Sequence, residues 1–278
     1  IQYAINRAND NDTILVHPGT FNGEIQIHEK NVVLSSLFIL TGDTSYIDST
    51  IIDGFNEDCN LAIYGSIDTM TRVTGFTIQN GMGCVYGQGG GIYVENANPR
   101  LDHLIIKNNF GGTLGGGICL NEASNAIINK VLFDNNHSSI GGGGIYSYAS
   151  NPVIKNCNIQ NNYAEKGGGL YLVFSNPVLE NVNITDNVVD DIGGGVFCRS
   201  SSSPSFNHVT ITNNDAVIGG GIYSSINSIP SFSNSIIWNN TPESILSHED
   251  SLIVNYSNID GGWGGIGNLN QDPLFCSP

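Results

Sequence analysis

Gly89-Gly90-Gly91-Ile92-Tyr93 and Gly115-Gly116-Gly117-Ile118-Cys119 are the first two of six related motifs in this 278-residue chain. The other four occupy residues 142–146, 167–171, 193–197 and 219–223, and each places an apolar residue and a ring after three glycines. From one motif to the next, the third glycine recurs after 26, 27, 25, 26 and 26 residues. So regular an interval indicates an internal repeat, whose units bury their apolar faces only by stacking on one another.

A column of asparagines keeps the same interval. Each of them follows a short run in which apolar side chains alternate with other residues, and alternation with period two is typical of strands. A proline or an alanine precedes each run, where a strand can begin without donating to a ladder of hydrogen bonds. We therefore expect the amides to form a ladder through the stacked coils: Asn109, Asn136, Asn162, Asn187, Asn214 and Asn240.

These patterns predict an all-β fold, a single-stranded right-handed parallel β-helix of about ten coils. The right hand is the general rule for crossover connections between parallel strands. Residues 1–278 are expected to form one domain that begins with a short N-terminal capping helix over 1–10. Irregular first coils are expected over 11–88, regular repeats of about 26 residues over 89–240, and a C-terminal coil and cap over 241–278.

The charge of the chain restricts its partners. Lys and Arg number 9 against 25 Asp and Glu, which gives a formal net charge of −16. Phosphate contacts need clustered cations, so a nucleic acid partner is not expected. No run of about 20 apolar residues is present, so membrane insertion is not expected either. An acidic, lysine-poor surface suits an extracellular or cell-surface protein.

The six cysteines include no Cys-x-x-Cys pair, which argues against the usual zinc spacings. Cys59 and Cys84 lie about one coil apart in the sequence, so a disulfide between them is geometrically feasible. Cys157 falls in an inward-facing column, and we expect it to behave as a small buried apolar residue.

The N-terminal segment carries a resemblance to a known family. The run IQYAINRANDNDTILVHPGTFNGEIQI at residues 1–27, with KNVVLSS at 30–36, resembles the opening of pectin lyase-like right-handed β-helix proteins. The segments Ser49–Gly54 and Val73–Gly81 fit the same pattern. This resemblance implies the fold and says little about function.

Two further resemblances concern the rest of the chain. The repeats from Gly81 to Asn240 are similar to those of polymorphic outer-membrane-protein passenger domains, which implies a secreted surface protein with a role in adhesion. Residues 255–275 are similar to the end of secreted bacterial β-helix proteins that carry a sorting tail. Since those chains continue further, this resemblance implies that more chain follows Pro278.

Rings recur directly after the glycine motifs. Ile92 and Val94 are expected to point inward, so Tyr93 between them and its counterparts should point outward. An outward stripe of rings can bind sugars through their apolar faces. Alternatively, rings one coil apart, at about 4.8 Å, stack on each other beneath neighbouring loops. The candidate ligand-binding residues are Tyr93, Tyr146, Tyr171, Phe197 and Tyr223.

Acidic residues occupy the corner before two of the glycine motifs. Glu165 and Asp191 each precede a motif by two residues in adjacent coils, so stacking brings them within about 5 Å. Carboxylates that close share a cation, share a proton or extend into solvent. About 5–5.5 Å is also the carboxylate separation in retaining glycosidases. Glu165 and Asp191 are therefore catalytic candidates, and Glu165, Asp190 and Asp191 candidate calcium ligands, although no cofactor is required.

Other polar columns give weaker signals. His103 and His208 share an outward polar column with Lys130, and we interpret that column as solvated surface. Lys107, Lys130 and Lys155 lie in neighbouring coils at different offsets and are not expected to form one cluster.

Two functional hypotheses follow. The first is an extracellular, non-catalytic surface protein that binds glycans or surface proteins, serves in adhesion or self-assembles. It is favoured by regular coils without long insertions, because catalytic sites are usually built from long loops. The second is a carbohydrate-active enzyme of the pectin lyase-like fold: a polysaccharide lyase, a glycoside hydrolase or an epimerase.

Overall fold

Short parallel strands stacked around one apolar core make up the molecule in a computed structural model that describes residues 1–57, 59–225, 227–248 and 252–275. The helical segments are α1 Gln2–Arg7, α2 Phe38–Thr41, α3 Ser45–Ser49 and a 3₁₀ turn at Val85–Gly87. In the part of the chain that is described, no helix is both long enough and apolar enough to cross a bilayer.

The strands of the described residues are short, at most eight residues each. In chain order they are β1 Thr13–Val16, β2 Gly19–Asn22, β3 Ile25–His28, β4 Val33–Ser36, β5 Thr50–Asp53, β6 Leu61–Ile67, β7 Arg72–Gln79, β8 Ile92–Ala97, β9 Arg100–Lys107, β10 Phe110–Gly111, β11 Ile118–Asn121, β12 Ile127–Asp134, β13 His137–Ser138, β14 Ile145–Tyr148, β15 Val153–Lys155, β16 Asn158–Gln160, β17 Tyr163–Lys166, β18 Leu170–Val173, β19 Val178–Thr185, β20 Val188–Ile192, β21 Val196–Arg199, β22 Ser205–Thr212, β23 Ile222–Ser224, β24 Ser231–Ser233, β25 Ile236–Trp238, β26 Ile245–Ser247, β27 Ile253–Asn255 and β28 Asn258–Ile259.

These strands form three parallel sheets that run along the molecule. The first sheet has the order β3-β6-β8-β11-β14-β18-β21-β23-β26. The second sheet stacks β1-β4-β7-β9-β12-β15-β19-β22-β24-β27, with β2, β5, β16, β25 and β28 pairing alongside. The third sheet is short, with the order β10-β13-β17-β20. The all-β solenoid with an N-terminal helix is therefore confirmed, and its longest sheet path stacks ten strands.

Glycines make the corner before the first sheet possible. The first glycine of each motif, such as Gly115 with φ +68°, has the left-handed conformation that L side chains rarely adopt. The third glycine lies against the next coil, and a Cβ on Gly91 would come within 2.6 Å of the Gly117 carbonyl oxygen. Both requirements recur in every repeat, because each coil is stacked directly on the next.

The asparagine ladder is present and buried. In every step, Nδ2 of one asparagine donates to Oδ1 of the next at 2.9–3.0 Å. The same Oδ1 also accepts the preceding asparagine's backbone N–H, as between Asn136 and Asn162 at 2.9 Å. Asn60 begins the ladder by donating to Asn109 Oδ1 at 3.0 Å, although the repeat did not point to it. From Asn109 to Asn214, each buried amide is thus bonded to the equivalent asparagine of the next coil.

The long strands of the second sheet are bent at a single residue. In β9, β12, β19 and β22 the residue at the bend has φ between 52° and 55°: His103, Lys130, Asn181 and His208. In β9 the side chains of Leu101 and Leu104 lie in the core, and the two residues between them are left on the outside. The bend therefore gives the second sheet two outer faces that meet along this column.

The largest departure from the repeat is a helical insertion between β4 and β5, at residues 37–49, which we call the insertion. Its two short helices pack on the outside of β7, and α3 also packs on β9. Thr77 Oγ1 in β7 donates to the carbonyl of Ile47 in the insertion at 2.9 Å. Gly75 is needed beneath it, because a Cβ there would collide with the side chains of Ser36 and Phe38. The expectation of coils without long insertions is therefore wrong at this position.

The cysteines divide between one disulfide and buried thiols. Cys59 and Cys84 form a disulfide with a Cα–Cα distance of 4.5 Å. Cys119, Cys157 and Cys198 are free and buried, and burial raises the pKa of the Cys157 thiol to about 12. Cys276 lies outside the described residues.

Candidate functional site

The column of rings after the glycine motifs points away from the main core but is not exposed. Tyr93, Tyr146, Tyr171 and Phe197 are only 2–7% accessible to solvent, and Tyr223 is half-buried. They form a second apolar cluster that Leu114, Val173 and Ile192 cover. Of the two alternatives for the outward rings, the structure has the covered stack, because side chains such as Leu114 and Ile192 pack over the rings.

Contacts between the rings agree with the stacked alternative. The centroids of Tyr171 and Phe197 lie 4.9 Å apart with the ring planes 6° from parallel. Tyr146 and Tyr223 extend the stack on either side at 5.4 Å. Burial raises the pKa of the Tyr93 and Tyr146 hydroxyls well above the ordinary value. These rings therefore stabilise the first sheet, and ligand binding by them stays an untested prediction without an exposed ring face to support it.

Glu165, Asp190 and Asp191 lie on the third sheet. Glu165 and Asp191 share a cation, but that cation is a side chain of the protein itself, Lys166. Lys166 Nζ lies 2.7 Å from Glu165 Oε1 and 3.5 Å from Asp191 Oδ2. The hydrogen bond with Glu165 raises the pKa of Lys166. Asp190 accepts a hydrogen bond from the hydroxyl of Tyr163, which raises the pKa of that tyrosine.

The candidate calcium site is not supported by the geometry of these acids. Among residues 1–57, 59–225, 227–248 and 252–275, no three His, Cys, Asp or Glu side chains are grouped so that they could hold an ion. The carboxylates of Glu165 and Asp191 are nearly half exposed, so their pairing with Lys166 contributes little to stability. Calcium binding and catalysis at Glu165, Asp190 and Asp191 stay predictions.

A different cluster lies where the insertion covers the second sheet. Asp102 is on the outside of β9, yet its side chain is completely buried. The guanidinium of Arg72 binds its carboxylate through two nitrogens, with Nε 2.7 Å from Oδ1 and Nη2 2.5 Å from Oδ2. Arg100 Nε lies 3.7 Å from Oδ1. A carboxylate so buried is stable only because cations and hydrogen bonds replace its water.

His103 completes this cluster and faces a groove. Its Nδ1 lies 3.2 Å from Asp102 Oδ2, and its ring packs on Phe38 of the insertion with centroids 4.7 Å apart. An ionised carboxylate only accepts hydrogen bonds, so in neutral His103 the proton is on Nδ1 and Nε2 carries the lone pair. Nε2 has no hydrogen-bond partner among the residues that the structure describes. The arrangement is that of a base whose orientation a buried acid holds.

The groove beside His103 has a volume of about 310 Å³. The insertion forms one wall through Thr44 and Ile47, and the two faces of the second sheet form the rest. Apolar side chains and polar ones both line it: Ile105, Leu132, His103, Lys130, Asn156 and Asn158. It can therefore receive a ligand that has an apolar face and hydrogen-bonding groups at its edge.

Basic residues are concentrated on the strands that carry this groove, and Lys130 lines it. Five of the nine basic residues lie on the adjacent strands β7, β9, β12 and β15: Arg72, Arg100, Lys107, Lys130 and Lys155. Arg72 is paired with Asp102, and Lys155 with Glu180 at 2.7 Å. Lys130, one coil from His103, makes no ion pair in the described part of the chain. An anionic ligand is therefore favoured in the groove.

The interpretation of this column as solvated surface holds for Lys130, which is exposed, but not for His103, which is partly buried against Asp102 and Phe38. The sequence contains one signal for the groove, because the insertion interrupts the strand pattern between Ser36 and Thr50. It contains no signal that Asp102 is buried, since the same outward position holds Asn129 and Lys155 in the next coils.

Comparison with known proteins concerns mainly the fold. A family model described as "Right handed beta helix region" matches residues 35–217. A search of curated protein sequences found no match.

Three similar solved structures are polysaccharide-acting enzymes. A pectin methylesterase in complex with a hexasaccharide is 12% identical, with a TM-score of 0.43, over 96% of this chain and 85% of its own. The PL6 family alginate lyase AlyGC is 14% identical, with a TM-score of 0.36, over 95% of this chain and 51% of its own. The catalytic unit of a GH87 α-1,3-glucanase from Streptomyces thermodiastaticus is 13% identical, with a TM-score of 0.29, over 94% and 63%. Similarity at this level carries no information on substrate or site.

Proposed function

The chain belongs to the right-handed β-helix family, and we propose that it acts on an acidic polysaccharide in the groove beside the insertion. The observation that carries this proposal is the pairing of His103, oriented by buried Asp102, with the unpaired cation Lys130 in the adjacent coil. A base next to a cation is what proton removal beside a carboxylate requires.

The reaction that these groups suit is eliminative cleavage. Lys130 binds the carboxylate of a uronate unit and stabilises the charge that grows there. His103 Nε2 removes the proton from the carbon that bears the carboxylate, and the electron pair of that bond forms a double bond to the next carbon. The bond from that carbon to the bridging oxygen breaks, and the oxygen leaves with its electron pair. It then takes up the proton from His103, so no further reactant is consumed.

The supporting residues have separate roles. Asp102 is a positioning residue, because it fixes the tautomer and the orientation of His103 without facing the groove. Arg72 holds the carboxylate of Asp102 in place through its two short contacts. Ile105 and Leu132 offer an apolar floor for the face of a sugar ring, while Asn156 and Asn158 offer amides to its hydroxyl groups.

We further propose that the protein works outside the cell. The Cys59–Cys84 disulfide supports this location, since disulfides persist in oxidising compartments. The acidic composition and the resemblance to secreted passenger domains point the same way.

A second function, binding of the same polysaccharide without cleavage, is favoured by one observation. The insertion walls the groove on one side only, and Lys130 and Asn156 on the other side are exposed. An open groove excludes water less well than a closed cleft. Adhesion to an acidic glycan would need only Lys130 and the amides.

The test uses polygalacturonate, alginate and hyaluronan, with the ultraviolet absorbance of the new double bond as the readout. We expect one of them to be cleaved, and His103→Gln to lower the rate by about 10²–10⁴-fold. His208→Gln is the matched control, because it lies in the same bent column with φ 54° but follows Asn207 instead of an acid.

Lys130→Met separates the two functions. The non-catalytic function would be identified by two results together. The unmodified protein binds the polysaccharide without forming a double bond, and Lys130→Met weakens that binding at least tenfold. Absence of both binding and cleavage for all three polysaccharides would contradict the proposal, as would cleavage that His103→Gln leaves unchanged.

A further inference from the structure

A second row of rings, which the glycine motifs do not point to, lies on the third sheet. Phe110, His137 and Tyr163 occupy equivalent positions on β10, β13 and β17. Their ring centroids lie 4.9 and 4.8 Å apart. Val188 continues the row in the next coil and is 41% exposed. We call these four side chains the outer ring row.

The outer ring row differs from the buried column in exposure. His137 and Val188 are exposed, and Phe110 and Tyr163 are half-exposed. Successive ring planes in the outer ring row are inclined by 53° and 68°. An inclined ring does not cover the whole face of its neighbour, so part of each face is turned to solvent.

Polar groups border the row on both sides. On one side, one exposed asparagine lies two residues before each ring: Asn108, Asn135 and Asn161. Asn135 donates to Asn108 Oδ1 at 2.7 Å, which orders these amides along the row. On the other side lie Glu165, Lys166 and Asp190, and the hydroxyl of Tyr163 is held by Asp190. Donors and acceptors thus line an apolar strip that is one ring wide.

From this arrangement we propose that the outer ring row binds a neutral glycan chain that lies along the axis of the solenoid. The apolar faces of sugar rings would contact Phe110, His137 and Tyr163, while sugar hydroxyls would bond to the bordering amides and carboxylates. The charge selects against an acidic chain, because three carboxylates lie here, those of Glu165, Asp190 and Asp191, beside one ammonium group. That group, of Lys166, pairs with Glu165 and Asp191. A protein partner would cover a wider surface than this strip offers.

This site is separate from the groove and does not depend on the function proposed there. The groove gathers cations and suits an acidic chain, whereas the outer ring row is bordered by carboxylates. A neutral ligand therefore distinguishes the two sites, and the failure of one proposal leaves the other standing.

Isothermal titration with cellohexaose, mannohexaose and maltohexaose tests the site on the full chain. We expect at least one of these to bind, and Tyr163→Ala to weaken its affinity at least tenfold. Tyr148→Ala is the matched control, because Tyr148 is also an exposed ring in a tilted pair, 6.1 Å from Phe174 on the first sheet. Tyr148→Ala and His103→Gln should each change the affinity less than twofold.

Phe110→Ala provides a second variant at the other end of the row, in case Tyr163→Ala disturbs β17. Thermal unfolding of each variant checks that the chain is folded at the titration temperature. The proposal is overturned if none of the three hexasaccharides binds. It is also overturned if the affinity survives both Tyr163→Ala and Phe110→Ala, or if Tyr148→Ala weakens binding as much as they do.

Discussion

The asparagine ladder and the Asp102 cluster both bury polar groups, but they satisfy them in opposite ways. In the ladder, each asparagine bonds to the equivalent asparagine of the next coil, so one contact is repeated five times along the inside. Asp102 lies on the outer face of the second sheet, and the next two coils hold Asn129 and Lys155 at its position. Its contacts with Arg72 and His103 are therefore not repeated in those coils. Repeated contacts specify the architecture, while contacts that occur once build the proposed site.

We expect the largest loss of stability from a substitution in the asparagine ladder. Asn162→Ala removes the acceptor for the backbone N–H of Asn136 and the donor to the Phe133 carbonyl. Two buried groups left unpaired cost about 2–6 kcal/mol of the free energy of unfolding. Denaturant unfolding measures this cost. Asn183→Ala, an exposed asparagine in the next coil, should change stability little, and an equal effect at the two positions would contradict the role of the ladder.

Breaking the cluster should cost somewhat less stability and far more function. Asp102→Ala leaves the guanidinium of Arg72, which is 28% exposed, without its partner, and a loss of about 3 kcal/mol is expected. It also frees His103, so cleavage of the acidic polysaccharide should fall as with His103→Gln. Glu180→Gln breaks an exposed pair with Lys155 and should alter neither property. Asp102→Ala with full activity would show that Asp102 does not position His103.

A substitution in the buried ring column, which is also a repeated contact, should lower the free energy of unfolding by less than the substitutions above. Phe197→Leu keeps an apolar side chain but removes the parallel contact with Tyr171, and a loss of about 1 kcal/mol is expected. Tyr163→Leu on the outer ring row should leave the unfolding midpoint unchanged while weakening neutral glycan binding. The reverse result, with stability lost only at Tyr163, would mean that the outer row is structural and the buried column is not.

The smallest expected effect is the pH dependence of His137. Burial lowers its pKa, against the opposing influence of Asp190, so the folded chain prefers the neutral imidazole. The unfolded state therefore takes up the proton first as the pH falls below about 6.5, and stability is lost as the pH falls through the folded pKa. His137→Phe keeps the ring without the titration. Its unfolding midpoint should fall less on acidification than that of the unmodified protein.

Much of the fold was predictable because the same residue pattern occurs in every repeat. The coils and the six ladder asparagines follow from the interval between glycine motifs and from period-two alternation. Cys59 and Cys84, about one coil apart, were also identified as a feasible disulfide pair. The outward direction of the ring column was predictable as well, and its burial beneath neighbouring loops was one of two alternatives that the sequence left open. Whether an outward ring is exposed depends on side chains such as Leu114 and Ile192, which come from the loops of other coils.

The proposed site was less predictable for the same physical reason. Regular spacing is a property of the chain, so the stacking and the inward columns can be inferred from the order of residues alone. The proposed site depends on where a short helical insertion packs, and the spacing of residues does not indicate that position. The packing of the insertion decides the burial of Asp102, the exposure of His103 Nε2 and the groove over Ile105. The residue order therefore decides the solenoid, and only contacts between distant segments decide which of its many outward side chains form a site.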